Sequence, residues 1–139
     1  MANPRLLNDS VTVYIPIGED VDGVMQWHVI VFNHVYAEAS ISLADASKGQ
    51  RPSDAIKVFI FDANSQAVMD DYEEDTATVC SEIFDVTLED RSFYDGKSYL
   101  VPYDSSSQKQ PPLGSRAIKK VLRRKAGQKR MWHWEVEAK

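Results

Sequence analysis

The feature that most constrains the fold of this chain is an alternation of apolar and polar residues near the N-terminus. In the stretch VTVYIPIG, every second residue from Val11 to Ile17 is valine or isoleucine. This period of two puts one set of side chains on one face of a strand. An Asp22-Gly23 dipeptide follows, and glycine accepts the positive φ of a tight turn. The next stretch, VMQWHVIVFNHVYAEAS, is apolar on both alternating faces. The sequence therefore predicts a hairpin whose second strand is long, central and buried on both sides.

Length and composition indicate how many domains the chain forms and in which cellular compartment it is made. The chain has 139 residues, of which 43% are hydrophobic, so it can bury one core and is predicted to be a single domain over residues 1–139. The N-terminus lacks the pattern of a signal peptide, and no apolar run approaches the roughly 20 residues of a membrane span. A single cysteine, Cys80, cannot form an internal disulfide. We expect a soluble, untargeted protein made in a reducing cytoplasm.

Further strands and irregular segments follow the predicted hairpin. LADASKGQRPSD, at about residues 43–54, is rich in turn-forming residues and predicts an exposed loop. AIKVFIFDA and KSYLVPYD have strand patterns, and the polar SSSQKQPPLGS predicts an extended connector. Between the two strands, residues 62–97 contain the acidic run MDDYEEDT, which buries little apolar surface. We expect this segment to be an irregular, mobile insertion with one short element around VCSEIFDVTL.

The basic segment near the C-terminus fits two structures. SRAIKKVLRRKAG has apolar residues at helical spacing, with Ser115 as a candidate N-cap and Gly127 as a candidate C-cap. Alternatively, AIKKVLRR turns at KAGQK into RMWHWEVEA and forms a hairpin. The hairpin is favoured slightly because the last strand would need a partner.

The tryptophans are the candidate anchors of the core. Alternation in RMWHWEV places Trp132 and Trp134 on one face and His133 on the other, so we predict that both indoles are buried and that His133 points outward. Trp27, in the long strand, is also predicted to be a core residue. A strand of this kind could close a barrel. We interpret all three histidines as structural or interface residues.

Charge is segregated along the chain, although the net charge is only −5. The stretch from Asp62 to Asp95 has eleven acidic residues and one basic residue, whereas Lys109 to Arg130 has nine basic residues and no acidic ones. Such segregation suits partners of opposite charge or contact between the basic face of one subunit and the acidic face of the next. We predict that four cations of the basic run face a partner protein: Lys119, Lys120, Arg123 and Arg124.

Motifs that indicate chemistry are not found in the sequence. It has no Walker loop, GxGxxG, GxSxG, HExxH or CxxC motif, so no catalytic, metal-ligating or cofactor-binding residue is predicted. Cys80 lies in an acidic neighbourhood, which raises a thiol pKa rather than activating the group. We expect no enzyme activity. A function of another class stays open, in which the basic C-terminal segment and its tryptophans bind nucleic acid.

Several segments together resemble small neck proteins of tailed bacteriophages. They are VTVYIPIGEDVDGVMQWHVIVFNHVYAEAS, SLADASKGQRPSDAIKVFIFD, SYLVPYD and GQKRMWHWEVEA. The similarity is to head-closure (stopper) and head–tail connector proteins, a group that includes minor capsid proteins, and it covers about residues 10–62 and 98–138. Tail-terminator and adaptor proteins of the same neck are alternative roles.

The resemblance implies a small β-barrel, SH3-like or related, that forms a homo-oligomeric ring of six or twelve copies in the virion neck. The ring would join the DNA-filled head, on its portal or adaptor side, to tail-terminator or tail proteins, and it would help to retain or pass the genome. DNA would cross the channel without sequence-specific binding, helped by an acidic lumen, since neutralised phosphates would slow transit. Lys48 and Arg51 would be contact residues of the exposed loop. Such a protein is made in the bacterial cytoplasm and does not bind membranes.

Overall fold

Antiparallel strands make up most of the structure, a computed structural model that describes residues 8–40, 55–70, 72–84, 98–102 and 108–139. Within these residues it has eight strands, one α-helix and one short 3₁₀-helix. The strands are β1 (Asp9–Glu19), β2 (Met25–Ser40), β3 (Ala55–Phe61), β4 (Gln66–Met69), β5 (Tyr72–Glu74), β6 (Tyr99–Pro102), β7 (Arg116–Arg124) and β8 (His133–Ala138). The helix α1 spans Thr76–Ile83, and the 3₁₀-helix spans Lys129–Met131. The prediction of a mainly β fold is confirmed. No described helix is both long and apolar enough to cross a bilayer.

The eight strands form one sheet that closes partly into a ring. Their order is β1-β6-β7-β8-β3-β2-β4-β5, and β1 also pairs with β2. The first six strands in this order run from β1 to β2, and the β1–β2 pairing joins the first of them to the last. Strands β4 and β5 lie outside this ring and continue the sheet from β2. In the resulting ring of six strands, the β1–β2 hairpin lies opposite the β7–β8 hairpin. Strand β6 separates the two hairpins on one side, and β3 separates them on the other.

The predicted β1–β2 hairpin is confirmed, and its turn is held by one carboxylate. Asp20 Oδ1 accepts hydrogen bonds from the backbone N–H groups of Asp22 and Val24, both at 2.9 Å. Gly23 has a φ of 79°, a conformation that other residues rarely adopt. The strands pair from Asp9 opposite Val35 to Glu19 opposite Met25. The turn therefore has a defined backbone geometry although it is exposed.

Strand β2 is long because it belongs to two parts of the sheet. It pairs with β1 up to Val35 and with β4 from Val31 to Asn33, and from Tyr36 it pairs with β3. His34, close to this change of partner, has a positive φ of 57°. The Ser65 hydroxyl donates to the His34 carbonyl at 2.8 Å and accepts from the Phe61 N–H at 2.9 Å. The prediction that β2 is buried on both sides is wrong at its start, where the strand extends beyond the core toward the turn and Met25 is exposed, and also farther along, where His34 and Glu38 are exposed.

The core lies inside the partly closed sheet. Its largest fully buried side chains come from six of the strands and from the end of α1: Tyr14, Phe32, Phe84, Ile30, Ile60, Leu100, Ile118, Val11, Val13, Val35, Val58 and Val136. The alternating residues of VTVYIPIG contribute Val11 and Val13, as their period of two predicts. Burial of a valine, leucine, isoleucine or phenylalanine side chain contributes about 1.5–3 kcal/mol. These buried side chains join β1, β2, β3, β6, β7 and β8 in one core.

The prediction that residues 62–97 are irregular, with one short element around VCSEIFDVTL, is wrong in its first part for the residues that the structure describes. Two short strands, β4 and β5, precede the helix α1, which overlaps the expected element, and Val79, Cys80 and Phe84 pack in the core. The predicted mobility of the segment stays a prediction. Asp75 caps the helix, because its carboxylate accepts from the Thr78 N–H at 3.1 Å. The carboxylates of DDYEED do not have to be buried, since the apolar residues on either side of the run supply the packing. Residues 85–97 lie outside the described part of the chain.

The basic C-terminal segment is a hairpin and not a helix. Strand β7 pairs with β8 from Ile118 opposite Ala138 to Arg124 opposite His133. A β-bulge interrupts the register between Ile118 and Lys120. The bulge adds one residue, so Ile118 and Val121 both point into the core although they are three residues apart. The spacing that looked helical in the sequence is the spacing of a bulged strand.

Candidate functional site

The three tryptophans predicted as core residues have different environments. Trp134 is 3% exposed and belongs to the core cluster. Trp27 and Trp132 are only partly buried, so the prediction is corrected for these two. Trp27 packs edge-on against the rings of Tyr14 and Tyr99, at centroid distances of 6.5 and 5.8 Å. Its position near the open end of β2, opposite Pro16, keeps it outside the core cluster.

Trp132 lies outside the core because the strand alternation does not extend to it. The 3₁₀-helix Lys129–Met131 ends immediately before Trp132, and β8 begins at His133. The Trp132 Nε1–H donates to the Gly127 carbonyl at 3.4 Å, which directs the ring toward the turn between β7 and β8. The sequence pattern could not show this, because a 3₁₀ turn has no period-two signature.

Two lysines of the β7–β8 connection approach the Trp132 ring. The Nζ atoms of Lys125 and Lys129 lie 5.3 and 6.0 Å from the ring centroid, within or near the range of a cation–π contact. Both lysines are exposed, as is the neighbouring Arg130. We name Trp132, Lys125 and Lys129 the cationic platform. It offers an aromatic surface bordered by positive charge on the outside of the protein.

Arg123, predicted to face a partner, is instead bound within the subunit. Its guanidinium donates to both carboxylate oxygens of Asp62, at 2.8 and 2.6 Å, and lies 4.6 Å from the Trp134 ring centroid. The Arg123 side chain is only 14% exposed. The prediction fails because Asp62, far away in the sequence, neutralises this cation.

The other cations predicted to contact a partner differ in their exposure and in their contacts within the subunit. Lys119 and Lys120, at the bulge of β7, are exposed. Arg124 is half exposed, and its Nε donates to Glu135 at 2.9 Å. Lys48 and Arg51 lie outside the described residues. Within the described chain, Lys119 and Lys120 therefore remain the predicted residues best exposed to a partner.

Glu135 is the centre of a small polar cluster on the outer face of β8. Its carboxylate contacts Arg124 at 2.9 Å, His133 Nε2 at 3.2 Å and Lys57 Nζ at 3.9 Å. Burial opposes the charged form, but the hydrogen bonds from Arg124 and His133 outweigh it and hold the pKa of Glu135 below its usual value. His133 is partly buried and packs against Phe59 and Phe61. These contacts give His133 a packing role in the subunit.

The tip of the β1–β2 hairpin combines acidic and apolar side chains, and the sequence analysis did not single it out. Glu19, Asp20 and Asp22 are exposed. Val21, between two of these carboxylates, is 102% exposed, and Val24 is exposed beside it. We name these five residues the acidic tip. The sequence did offer one signal, a valine within the turn EDVDG, because hairpin turns are usually built from Gly, Pro, Asn, Asp and Ser.

The surface of the described residues includes two grooves. One has a volume of about 540 Å³ and is lined by Val24 of the acidic tip, Met25, Trp27, Tyr99 and the Pro111–Ser115 turn. The other, of about 410 Å³, is lined by Asp62 and by polar residues of β4, β5 and the start of α1. Among the described residues, no group of three or more His, Cys, Asp or Glu side chains is arranged to hold a metal ion.

The thiol of Cys80 is buried and does not line the second groove. Cys80 is 0% exposed, and it packs in the core with Val79 and Phe84. Burial raises the pKa of this thiol far above its usual value, and the nearby Asp62 carboxylate raises it further. The neutral thiol is therefore strongly favoured, and the side chain serves as a small apolar core residue.

Comparison of the whole chain with protein-family models, curated proteins and solved structures found no match.

Proposed function

We propose that this protein is a structural subunit of the neck of a tailed bacteriophage, where copies of it form a ring between head and tail. In this proposal the partly closed sheet is a small β-barrel, SH3-like or related. The ring contains six or twelve copies and contacts the portal or adaptor ring on one side and tail-terminator or tail proteins on the other. Genomic DNA passes through it without sequence-specific contacts.

One observation in particular supports the proposal: oppositely charged surfaces are located on different hairpins of the subunit. The acidic tip is the turn of the β1–β2 hairpin, and the cationic platform is the turn of the β7–β8 hairpin, at the same end of the ring of strands. Contact between two different surfaces can repeat head to tail from copy to copy, and the repetition closes a ring if the rotation allows it. The resemblance of several segments to head-closure and connector proteins supports the same role.

The first test is the state of the purified wild-type protein in solution. Sedimentation velocity over a range of protein concentrations, followed by negative-stain electron microscopy, should reveal ring-shaped oligomers or intermediates on the way to them. A wild-type protein that stays monomeric at every concentration would contradict the proposal.

A charge reversal on β7 tests whether its exposed lysines contribute to assembly of the ring. The double variant Lys119→Glu/Lys120→Glu should keep the circular dichroism spectrum and thermal stability of the wild type, because both side chains are exposed, but it should assemble more weakly. The matched control is Lys109→Glu/Lys139→Glu, which changes the net charge equally at two other exposed lysines. Equal assembly of the two variants would mean that Lys119 and Lys120 form only a solvated face.

A second candidate function is binding of single-stranded nucleic acid by the cationic platform. The specific observation in its favour is that Trp132 lies outside the core with two lysines near its ring. Stacking of a base on an exposed aromatic ring contributes about 1–3 kcal/mol in proteins of this kind. A titration of labelled single-stranded DNA at low and high salt separates the candidates: steep salt dependence, lost in Trp132→Ala, supports nucleic-acid binding. The structural role predicts little affinity at either salt concentration.

A further inference from the structure

We propose that the acidic tip of one copy binds the cationic platform of the next copy, so that a single repeated contact builds the oligomer. This inference rests on the self-assembly proposed above and names the two surfaces that carry it. The occupant of the platform is thus a second copy of this chain.

Charge complementarity is the first argument. Glu19 and Asp22 of the acidic tip are exposed, as are Lys125 and Lys129 of the cationic platform. Opposite charges that are partly desolvated at a contact accelerate encounter and discriminate against wrong orientations. Two copies cannot bind tip to tip or platform to platform without bringing like charges together. The charges therefore favour contact of a tip with a platform over contact of either surface with its own kind.

The apolar groups of the two surfaces also match. Val21 projects from the acidic tip with its side chain completely exposed, and Trp132 offers a partly exposed indole between two cations. An aromatic ring surrounded by polar groups is the usual composition of the energetic centre of an interface. Contact between Val21 and the indole would remove apolar surface from water while the carboxylates meet the lysines at the rim.

The acidic tip is already held in one conformation before binding. Asp20 accepts two backbone hydrogen bonds across the turn, and its other oxygen accepts from the Gln26 amide at 3.2 Å. The Gly23 N–H donates to the Asp20 carbonyl at 3.0 Å. An ordered loop loses less conformational entropy on binding than a flexible one. Asp20 is therefore a positioning residue, and Glu19, Val21 and Asp22 are the contact residues.

The position of the two surfaces allows the contact to repeat. The tip and the platform are turns of two hairpins that β6 and β3 separate in the sheet, and the antiparallel pairings place both turns at the same end of the ring of strands. Because the two turns share no residue, one copy can use its tip and its platform at the same time. Binding of nucleic acid to the platform would leave the exposed valine and the surrounding carboxylates of the tip without a role. A net charge of −5 also disfavours a polyanion as the occupant.

A charge-swap experiment in the full-length chain tests the inference. One variant, Glu19→Lys/Asp22→Lys, makes the tip basic, and a second, Lys125→Glu/Lys129→Glu, makes the platform acidic. Each alone should lose at least about tenfold in self-association, because like charges then face each other in every contact. A mixture of the two should assemble again, since each basic surface now meets an acidic one. The chain that carries all four substitutions should also assemble.

Two further variants control for general effects of charge and test the apolar part. Glu73→Lys/Glu74→Lys reverses two exposed carboxylates on β5 and should leave self-association unchanged. Val21→Ser should not change thermal stability, because the side chain contacts solvent in the free subunit, but it should weaken self-association.

The possible results distinguish failure of the tip–platform contact from failure of the proposed ring. If the wild type assembles and the tip and platform variants assemble equally well, this contact is wrong while the proposed ring stands. If the wild type never assembles, both proposals fail. If Lys125→Glu/Lys129→Glu loses affinity for single-stranded DNA and keeps its self-association, the platform is a nucleic-acid site and the inference is overturned.

Discussion

Asp62 and Arg123, 61 residues apart in the chain, form two hydrogen bonds of 2.8 and 2.6 Å between one carboxylate and one guanidinium. Both side chains are largely shielded from water. We expect Asp62→Ala to lower the free energy of unfolding by about 1.5–3 kcal/mol, the usual range for hydrogen bonds to a charged group, because Arg123 would keep its burial and lose its partner. Urea denaturation measures the change. The control is Lys57→Ala, whose 3.9 Å ion pair is more exposed and should contribute less than about 1 kcal/mol.

The two C-terminal tryptophans should differ in their contribution to stability. Trp134→Ala removes a buried ring from the core and should cost about 3–5 kcal/mol. Trp132→Ala removes a partly exposed ring and should cost distinctly less. Urea denaturation of both variants at the same protein concentration is the measurement. Equal costs would mean that Trp132 is also a core residue in solution, which would remove the basis of the cationic platform.

Cys80 should be unreactive in the folded protein. The thiolate is the reactive form, and burial raises the pKa of this thiol far above its usual value. We expect Ellman's reagent to label the native protein only as fast as it unfolds, and to label it rapidly in concentrated guanidinium. Fast labelling under native conditions would show that α1 opens away from the sheet easily.

Stability should depend on pH through Glu135. Its pKa in the folded protein is below the ordinary value of 4.5, so its contribution is fully present above that pH and is lost as the pH falls through the lowered pKa. The difference in free energy of unfolding between the wild type and Glu135→Gln should therefore be largest near neutral pH and shrink in acid. Denaturation curves over this pH range test the prediction. Glu137→Gln, on the same strand, is the matched control and should give a smaller difference.

We expect the small side chain of Ser65 to contribute substantially to the stability of the fold. Its hydroxyl satisfies both the His34 carbonyl and the Phe61 N–H, and its own carbonyl accepts from the Thr76 hydroxyl at 2.6 Å. Ser65→Ala would leave two backbone groups without this partner, at a cost of about 1–3 kcal/mol. Thermal denaturation measures the loss. Ser81→Ala, at an exposed position of α1, should change stability little.

The sequence predicted those parts of the fold that follow from local patterns. The alternation of apolar and polar residues predicted β1, the Asp22-Gly23 dipeptide predicted the turn after it, and the alternating tryptophan-rich end of the chain predicted β8. The acidic segment was misjudged because composition was averaged over residues 62–97. Charges on β5 and apolar residues on α1 are close in sequence but lie on surfaces with different environments, which an average cannot separate.

The candidate site was harder to predict because it depends on contacts between distant residues. Arg123 was counted among the free cations, since nothing near it in the sequence indicates Asp62 as its partner. The partial exposure of Trp132 depends on a 3₁₀ turn, which has no strong sequence pattern. The bulge at Lys119 gave apolar residues a spacing that a helix would also have. In each case the local pattern was compatible with two structures, and tertiary contacts decided between them.

The closure of the sheet has a consequence for solubility in crowded conditions. Among the described strands, only β5 has a single partner, so it presents the unpaired backbone to which a strand of another molecule could add. This strand is three residues long, and two of them are the exposed glutamates Glu73 and Glu74. A second strand with the same sequence would be repelled there. The acidic run that buries so little thus disfavours edge-to-edge pairing of two molecules through β5.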